Sequence, residues 1–197
     1  TFKPFRYAGS LSNPLVFLIQ VLFGLYILVV MLRFLLQLTR ADFYNPVSQI
    51  IVKATSPLLN PLRRVVPGFA GIDLAAIVLM WLVQSLELAL IVMISGMGSN
   101  LAATLAWAIP ELVNLALNVF LFAILIQVIL SWVSPGTYNP ALSLIHSLTE
   151  PVLRPAQRLI PPISGLDLSP MVVMVGLTLL KMLLLPPLQM LTGTPFR

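Results

Sequence analysis

Four stretches of the chain are almost uninterruptedly apolar: Pro14–Leu38, Leu74–Ile94, Leu112–Val133 and Pro170–Leu191. A helix needs about 20 apolar residues to cross a hydrocarbon core about 30 Å thick. All four qualify, so the pattern predicts an all-α membrane protein with four transmembrane helices. The first stretch exceeds the roughly 7–15 apolar residues of a signal peptide core, and no small-residue cleavage site follows it, so it is expected to remain as a span.

The segments after spans one and three carry nearly the same text. YNPVSQIIVKATSPLLNPLRRVVPGFAGIDL, from Tyr44, aligns without a gap on YNPALSLIHSLTEPVLRPAQRLIPPISGLDL, from Tyr138, at a constant offset of 94 residues. The pairs Tyr44/Tyr138, Asn45/Asn139, Pro46/Pro140, Ile51/Ile145, Thr55/Thr149, Pro57/Pro151 and Leu59/Leu153 are identical. So are Pro61/Pro155, Arg64/Arg158, Pro67/Pro161, Gly71/Gly165, Asp73/Asp167 and Leu74/Leu168. Agreement at fixed offset marks a duplication. Each unit reads span, basic loop, span, so both copies enter the membrane from the same side. The expected fold is two parallel two-helix repeats, residues 14–95 and 108–191, related by a pseudo-twofold axis along the membrane normal within one membrane domain, 1–197. Each repeat carries a short amphipathic helical segment between its spans.

Local signals fill in that segment. Asn45–Pro46 and Asn139–Pro140 fit an Asn N-cap followed by Pro at the first helical turn. A short helix to about Thr55 or Thr149 is expected, then a break before Pro57 or Pro151. A second short helix, Pro57–Val66, would put Leu58, Leu59, Leu62, Val65 and Val66 on one side and Asn60, Arg63 and Arg64 on the other. Pro67 and Gly71 turn the chain, and Asp73 or Asp167 caps the next span. Arg63, Arg64, Arg154 and Arg158 are expected at anionic lipid headgroups. These motifs also have a purely structural reading, in which they only shape the backbone.

Composition agrees with the pattern. Hydrophobic residues make up 59% of the chain and charged ones 9%, against about 45–50% and about 25% in soluble domains, and the mean hydropathy is +1.02. A water-soluble enzyme is excluded. Cysteine is absent, which removes disulfides, thiolate metal ligation and cysteine nucleophiles. The single histidine, His146, has no orienting partner for a triad, and no cofactor or metal site is expected. Net charge is only +5, so position matters more than sum. Arg40, Lys53, Arg63, Arg64, Arg154 and Arg158 lie in the two repeated loops, whereas Lys3, Arg6 and Arg197 lie on the other side, and Ser95–Pro110 has no basic residue. The positive-inside rule then places loops 39–73 and 134–169 in the cytoplasm and both termini in the periplasm. The basic residues are too few, and too free of interleaved aromatics, for direct nucleic-acid binding.

The runs RADFYNP (Arg40–Pro46) and SPLLNPLRRVVP (Ser56–Pro67), with the two GxDL turns, closely resemble the YggT (YlmG-like) family of bacterial and plastid membrane proteins. The resemblance covers both repeats from about Leu15 onward. It implies a bacterial inner-membrane protein without established catalytic activity. Members of that family are associated with cell-division gene neighbourhoods, plastid nucleoid organisation, cytochrome maturation and osmotic tolerance. The second copy departs from the first at SPGTYNP, Ser134–Pro140, which lacks the counterparts of Arg40 and Asp42.

Ionisable groups inside spans are costly and functionally suggestive. Glu87 and Lys181 occupy one repeat position, and both lie about 21 Å from the loop end of their spans. The expectation is that they face each other and bind spans two and four together. An ion or proton path and a contact with a partner subunit are the other readings. Arg33, about 10 Å deep, is expected to snorkel to the headgroups, and Gln127 takes its place in the second repeat. Gln84, Asn114 and Asn118 add further hydrogen-bonding capacity between helices. The function expected is a non-catalytic inner-membrane scaffold or accessory protein that works through helix surfaces and amphipathic helices. Its partners are the lipid bilayer, anionic headgroups and other membrane proteins or a second copy, with no small-molecule substrate identified. The alternative is an oligomeric channel or small-solute or ion transporter linked to osmotic tolerance.

Overall fold

A computed structural model describes residues 14–69, 71–96, 101–133, 139–159 and 167–194. Six α-helices account for most of them: α1 (Pro14–Leu38), α2 (Pro46–Val65), α3 (Leu74–Ile94), α4 (Leu101–Val133), α5 (Pro140–Leu159) and α6 (Ser169–Thr192). Helices α1, α3, α4 and α6 are long and apolar enough to cross a membrane, and α2 and α5 are the amphipathic elements between the spans of each repeat.

The short helical pairs expected between spans are instead single 20-residue helices, with Pro57 and Pro61 inside α2 and Pro151 and Pro155 inside α5. A proline inside a helix removes one donor and frees the carbonyl four residues back. Here all four prolines stand on the exposed face. The carbonyls that Pro57 and Pro61 orphan, those of Lys53 and Pro57, belong to exposed residues where water can replace the lost bond. The inward face remains apolar and continuous, with Leu59 fully buried in α2 and Leu153 buried in α5. Leu58 and Val65, placed with Leu59 on one side by the sequence pattern, point outward. The third span also begins earlier than expected. Helix α4 takes in most of the anticipated outer loop and carries Pro110 internally, while Trp81 Nε1 of α3 donates to the Leu105 carbonyl at 2.7 Å.

Three of the four capping signals hold, whereas α6 has Leu168 at its N-cap with no side-chain cap and Asp167, one residue further out, accepts from the Ser169 amide. Asn45 Oδ1 accepts from the Val47 amide and Asn139 Oδ1 from the Ala141 amide, each at 2.9 Å, and Asp73 Oδ1 accepts from the Ala76 amide at 3.3 Å. Helix α1 ends on Arg40 in the left-handed region (φ 55°), with the Ala41 amide returning to the Leu36 carbonyl. Asp42 then accepts from the Tyr44 amide at 2.8 Å, so the two charges that RADFYNP has and SPGTYNP lacks sit in this turn. Gly71 takes φ 82° in the tight turn where Phe69 and Ile72 pair, a conformation that side chains rarely adopt.

The main core lies among Ile27, Val30 and Met31 of α1, Leu59 of α2, Ala75 and Ala76 of α3, and Leu144 and Leu148 of α5. In lipid, such contacts stabilise through close packing, which the two alanines at zero exposure permit. Helix α1 packs on α3, α3 on α4 and α4 on α6, while α6 touches neither α1 nor α3 among the described residues. A closed twofold would require α6 to meet α1 wherever α3 meets α4. The two copies are therefore set in succession, not closed around the pseudo-twofold axis expected from the repeat. At the loop end Asn45 Nδ2 of the first copy donates to the Pro140 carbonyl of the second at 2.7 Å.

Candidate functional site

The two repeats hold their amphipathic helices by the same pair of clasps, and chemistry separates the copies. The first clasp ties the span to the helix that follows it. In the first repeat Arg33 is 5% exposed, and its Nη1 donates to Thr55 Oγ1 at 2.5 Å and to Ser56 Oγ and the Val52 carbonyl, each at 3.2 Å. Arg33 therefore turns into the protein instead of snorkelling outward, because the hydroxyls and carbonyl of α2 lie within its reach. In the second repeat Gln127 stands in its place and accepts from Thr149 Oγ1.

The second clasp fixes the turn before the next span. Arg63 Nη2 donates to Asp73 Oδ2 in an ion pair, and the Asp73 side chain is 4% exposed. Arg63 therefore has an ion-pair partner within the chain, with its side chain still 35% exposed. In the second repeat Gln157 Nε2 donates to Asp167 Oδ2 at 3.0 Å. What burial Asp167 has works against its charge, but the Ser169 amide at 2.9 Å and Gln157 hold its carboxyl below the ordinary value. Both arginines of the first repeat's clasps are thus glutamines in the second.

Between the clasps of the first repeat, α1, α2 and the turn residues Gly68, Gly71, Ile72 and Asp73 line an open cavity of about 800 Å³. Arg33, Gln37, Gln49, Lys53, Arg63 and Asp73 supply its polar wall, and Phe43, Val52 and Ile72 its apolar one. Of the basic loop residues, Arg40, Lys53, Arg64, Arg154 and Arg158 are exposed, with Arg154 3.8 Å from Glu150. His146 is exposed on α5.

The expected pair of Glu87 and Lys181 does not form within the chain. Lys181 Nζ donates to Asn118 Oδ1 of α4 at 2.7 Å, and Asn118 Nδ2 reaches Asn114 Oδ1 at 3.4 Å. Glu87 is buried and accepts from Gln84 Nε2 at 3.0 Å. The physical reason is the succession of helices: Glu87 is on α3 and Lys181 on α6, which do not pack on each other. Thr55 and Thr149 are the residues that sequence reasoning passed over as mere identities, although their repetition opposite Arg33 and Gln127 was the available signal. Tyr138, Pro161 and Gly165 of the second motif, and Lys3, Arg6 and Arg197, lie outside the described residues.

The sequence model of the CCB3/YggT family matches twice, over residues 12–94 and 106–188, one match per repeat. The chain belongs to the CCB3/YggT family. An uncharacterised protein of Pseudomonas aeruginosa is 50% identical over 188 residues, 94% of this chain and 95% of its own length. An uncharacterised protein of Vibrio alginolyticus is 45% identical over 167 residues, 84% of this chain and 90% of its own. The uncharacterised YggT protein of Escherichia coli K12 is 35% identical over 170 residues, 86% and 88% of the two chains. No solved structure matches this CCB3/YggT chain.

Proposed function

We propose that this CCB3/YggT protein is a non-catalytic scaffold or accessory protein of the bacterial inner membrane, acting through open helix faces and clasped amphipathic helices. The loops at 39–73 and 134–169 are assigned to the cytoplasm and both termini to the periplasm, on the distribution of basic residues. The supporting observation is the open end of the repeat. The α3–α4 contact joins the copies inside the chain, while α6 and α1, the corresponding pair, make no contact with each other among the described residues. Leu179, Met182 and Leu183 on α6 and Leu18, Leu22 and Leu25 on α1 remain exposed. Heterologous contacts of this kind propagate until they close in a ring or end on another protein. A second copy placing its α1 on this α6 would repeat the internal contact.

The alternative, an oligomeric channel or small transporter, draws on the Lys181–Asn118–Asn114 ladder between α4 and α6. Purification from native membranes in mild detergent, with reconstitution of the same preparation for ion flux, separates the readings. A stable assembly without flux supports the scaffold. Flux abolished by Lys181→Met supports transport and overturns it.

A further inference from the structure

We propose that the cavity of the first repeat is a binding site for a phosphate of net negative charge, not balanced by a cation of its own, supplied by an anionic lipid headgroup or by a soluble phosphate ester. Three cations line it, and one of them, Arg63, is neutralised by Asp73, which leaves Arg33 and Lys53 as net positive charge. Every hydrogen bond that Arg33 makes to described residues comes from Nη1. Its Nε and Nη2 donors, the fork that matches a phosphate in bidentate fashion, remain available toward the cavity. Lys53 is exposed and has no hydrogen bond or ion pair among the described residues. It adds a mobile point charge at the cavity wall. Gln37 and Gln49 add neutral hydrogen-bonding groups, and Phe43 and Ile72 offer an apolar flank suited to a glyceride backbone or another ester group. The volume suits a small ligand or a lipid headgroup, since ligand sites usually span about 300–1,000 Å³.

The second repeat supplies a control inside the same molecule. At the positions of Arg33, Lys53 and Arg63 it has Gln127, Ser147 and Gln157, while Asp73 persists as Asp167. All three cations are gone and the acid remains. A general attraction to anionic membranes would be served by either copy, because Arg64 and Arg158 are retained in both. Around the cavity every cation is lost while the acid is kept, which is the mark of a site and not of a charged surface.

The test uses the protein in an uncharged detergent, titrated separately with phosphatidylglycerol, phosphatidylcholine and glycerol 1-phosphate, with bound ligands counted by native mass spectrometry. One phosphatidylglycerol per chain is expected to bind at least about tenfold more tightly than phosphatidylcholine. Lys53→Ser, an exposed change copied from the second repeat, is expected to weaken it about tenfold, as loss of one charge-assisted contact does. Grafting Gln127→Arg, Ser147→Lys and Gln157→Arg is expected to add a second bound phosphatidylglycerol. Displacement by glycerol 1-phosphate assigns the site to soluble phosphate esters, and retention of the lipid against it assigns the site to headgroups. Both outcomes support binding of a net-anionic phosphate. Equal affinity for phosphatidylglycerol and phosphatidylcholine overturns it, as does unchanged affinity in both Lys53→Ser and Arg63→Gln.

Discussion

Asp73 and Asp167 occupy one repeat position and turn the chain into equivalent spans, yet they should differ in what they contribute. Asp73 accepts the Ala76 amide at the start of α3 and also the Arg63 guanidinium, with its side chain 4% exposed. Replacing it with alanine loses a cap, about 1 kcal/mol, and a charge-assisted bond, about 1.5–3 kcal/mol. The Arg63 side chain is 35% exposed, so water softens the loss and the lower half of that range applies. Asp73→Ala is therefore expected to cost about 2.5–3 kcal/mol. Asp167→Ala loses the Ser169 amide at 2.9 Å and an exposed amide donor, Gln157, which together are worth about 1 kcal/mol. Equilibrium unfolding in mixed micelles, followed by circular dichroism, measures both. A double-mutant cycle of Arg63→Gln with Asp73→Asn should give a coupling of about 1 kcal/mol or more, against less than about 0.5 kcal/mol for Gln157→Ala with Asp167→Asn. Equal costs at the two aspartates, or no coupling at Arg63, would refute the idea that the first clasp is electrostatic and the second is not.

Further consequences can be read from the same unfolding experiment. Thr55→Val removes the acceptor of a buried arginine and should cost about 1–3 kcal/mol, whereas Thr149→Val, opposite a neutral glutamine, should cost about 1 kcal/mol; the reverse order would contradict the clasp assignment. Pro57→Ala should raise the midpoint of unfolding, because α2 continues through this exposed position and alanine restores the missing donor; a fall would mean that proline holds a break. The carboxyl of Asp167 is held below its ordinary value, so its contribution is complete above the unfolded-state value near about 3.9 and is lost as pH falls through the folded one. The stability difference between wild type and Asp167→Asn should thus stay flat from about pH 7 to pH 5 and shrink only below about pH 4. Ser99→Cys, in a chain without other cysteines, should react with an impermeant thiol reagent in intact cells; labelling only after the membrane is opened would reverse the proposed orientation.

Most of the architecture was legible because lipid imposes simple rules on a sequence. Length and apolarity located α1, α3 and α6, and the 94-residue offset exposed the duplication. Asn45, Asn139 and Asp73 declared themselves as caps because the capping chemistry is local. The shared polar position of Arg33 and Gln127 was also readable, although their common threonine partners were not. What failed depended on three-dimensional neighbours. Equal depth and opposite sign suggested a Glu87–Lys181 pair, but depth along a span does not say which helices adjoin, and α4 supplied Asn118 first. Pro57 and Pro151 read as breaks because the sequence does not show that the freed carbonyls face outward. The Arg63–Asp73 pair went unread because Asp73 sits beyond a turn whose geometry depends on the positive φ of Gly71. The cavity emerged only when α1, α2 and that turn were brought together.

Disulfide mapping between chains tests the central claim of an open repeat face most directly. Single cysteines are placed along α6 at Val175, Leu179, Met182 and Leu183, and along α1 at Leu18, Val21, Leu22 and Leu25, in native membranes. The account predicts α6-to-α1 cross-links between two copies, recurring with the spacing of a helix face along both elements. Cross-links absent at every α6 position, with the chain monomeric in native membranes, would contradict it.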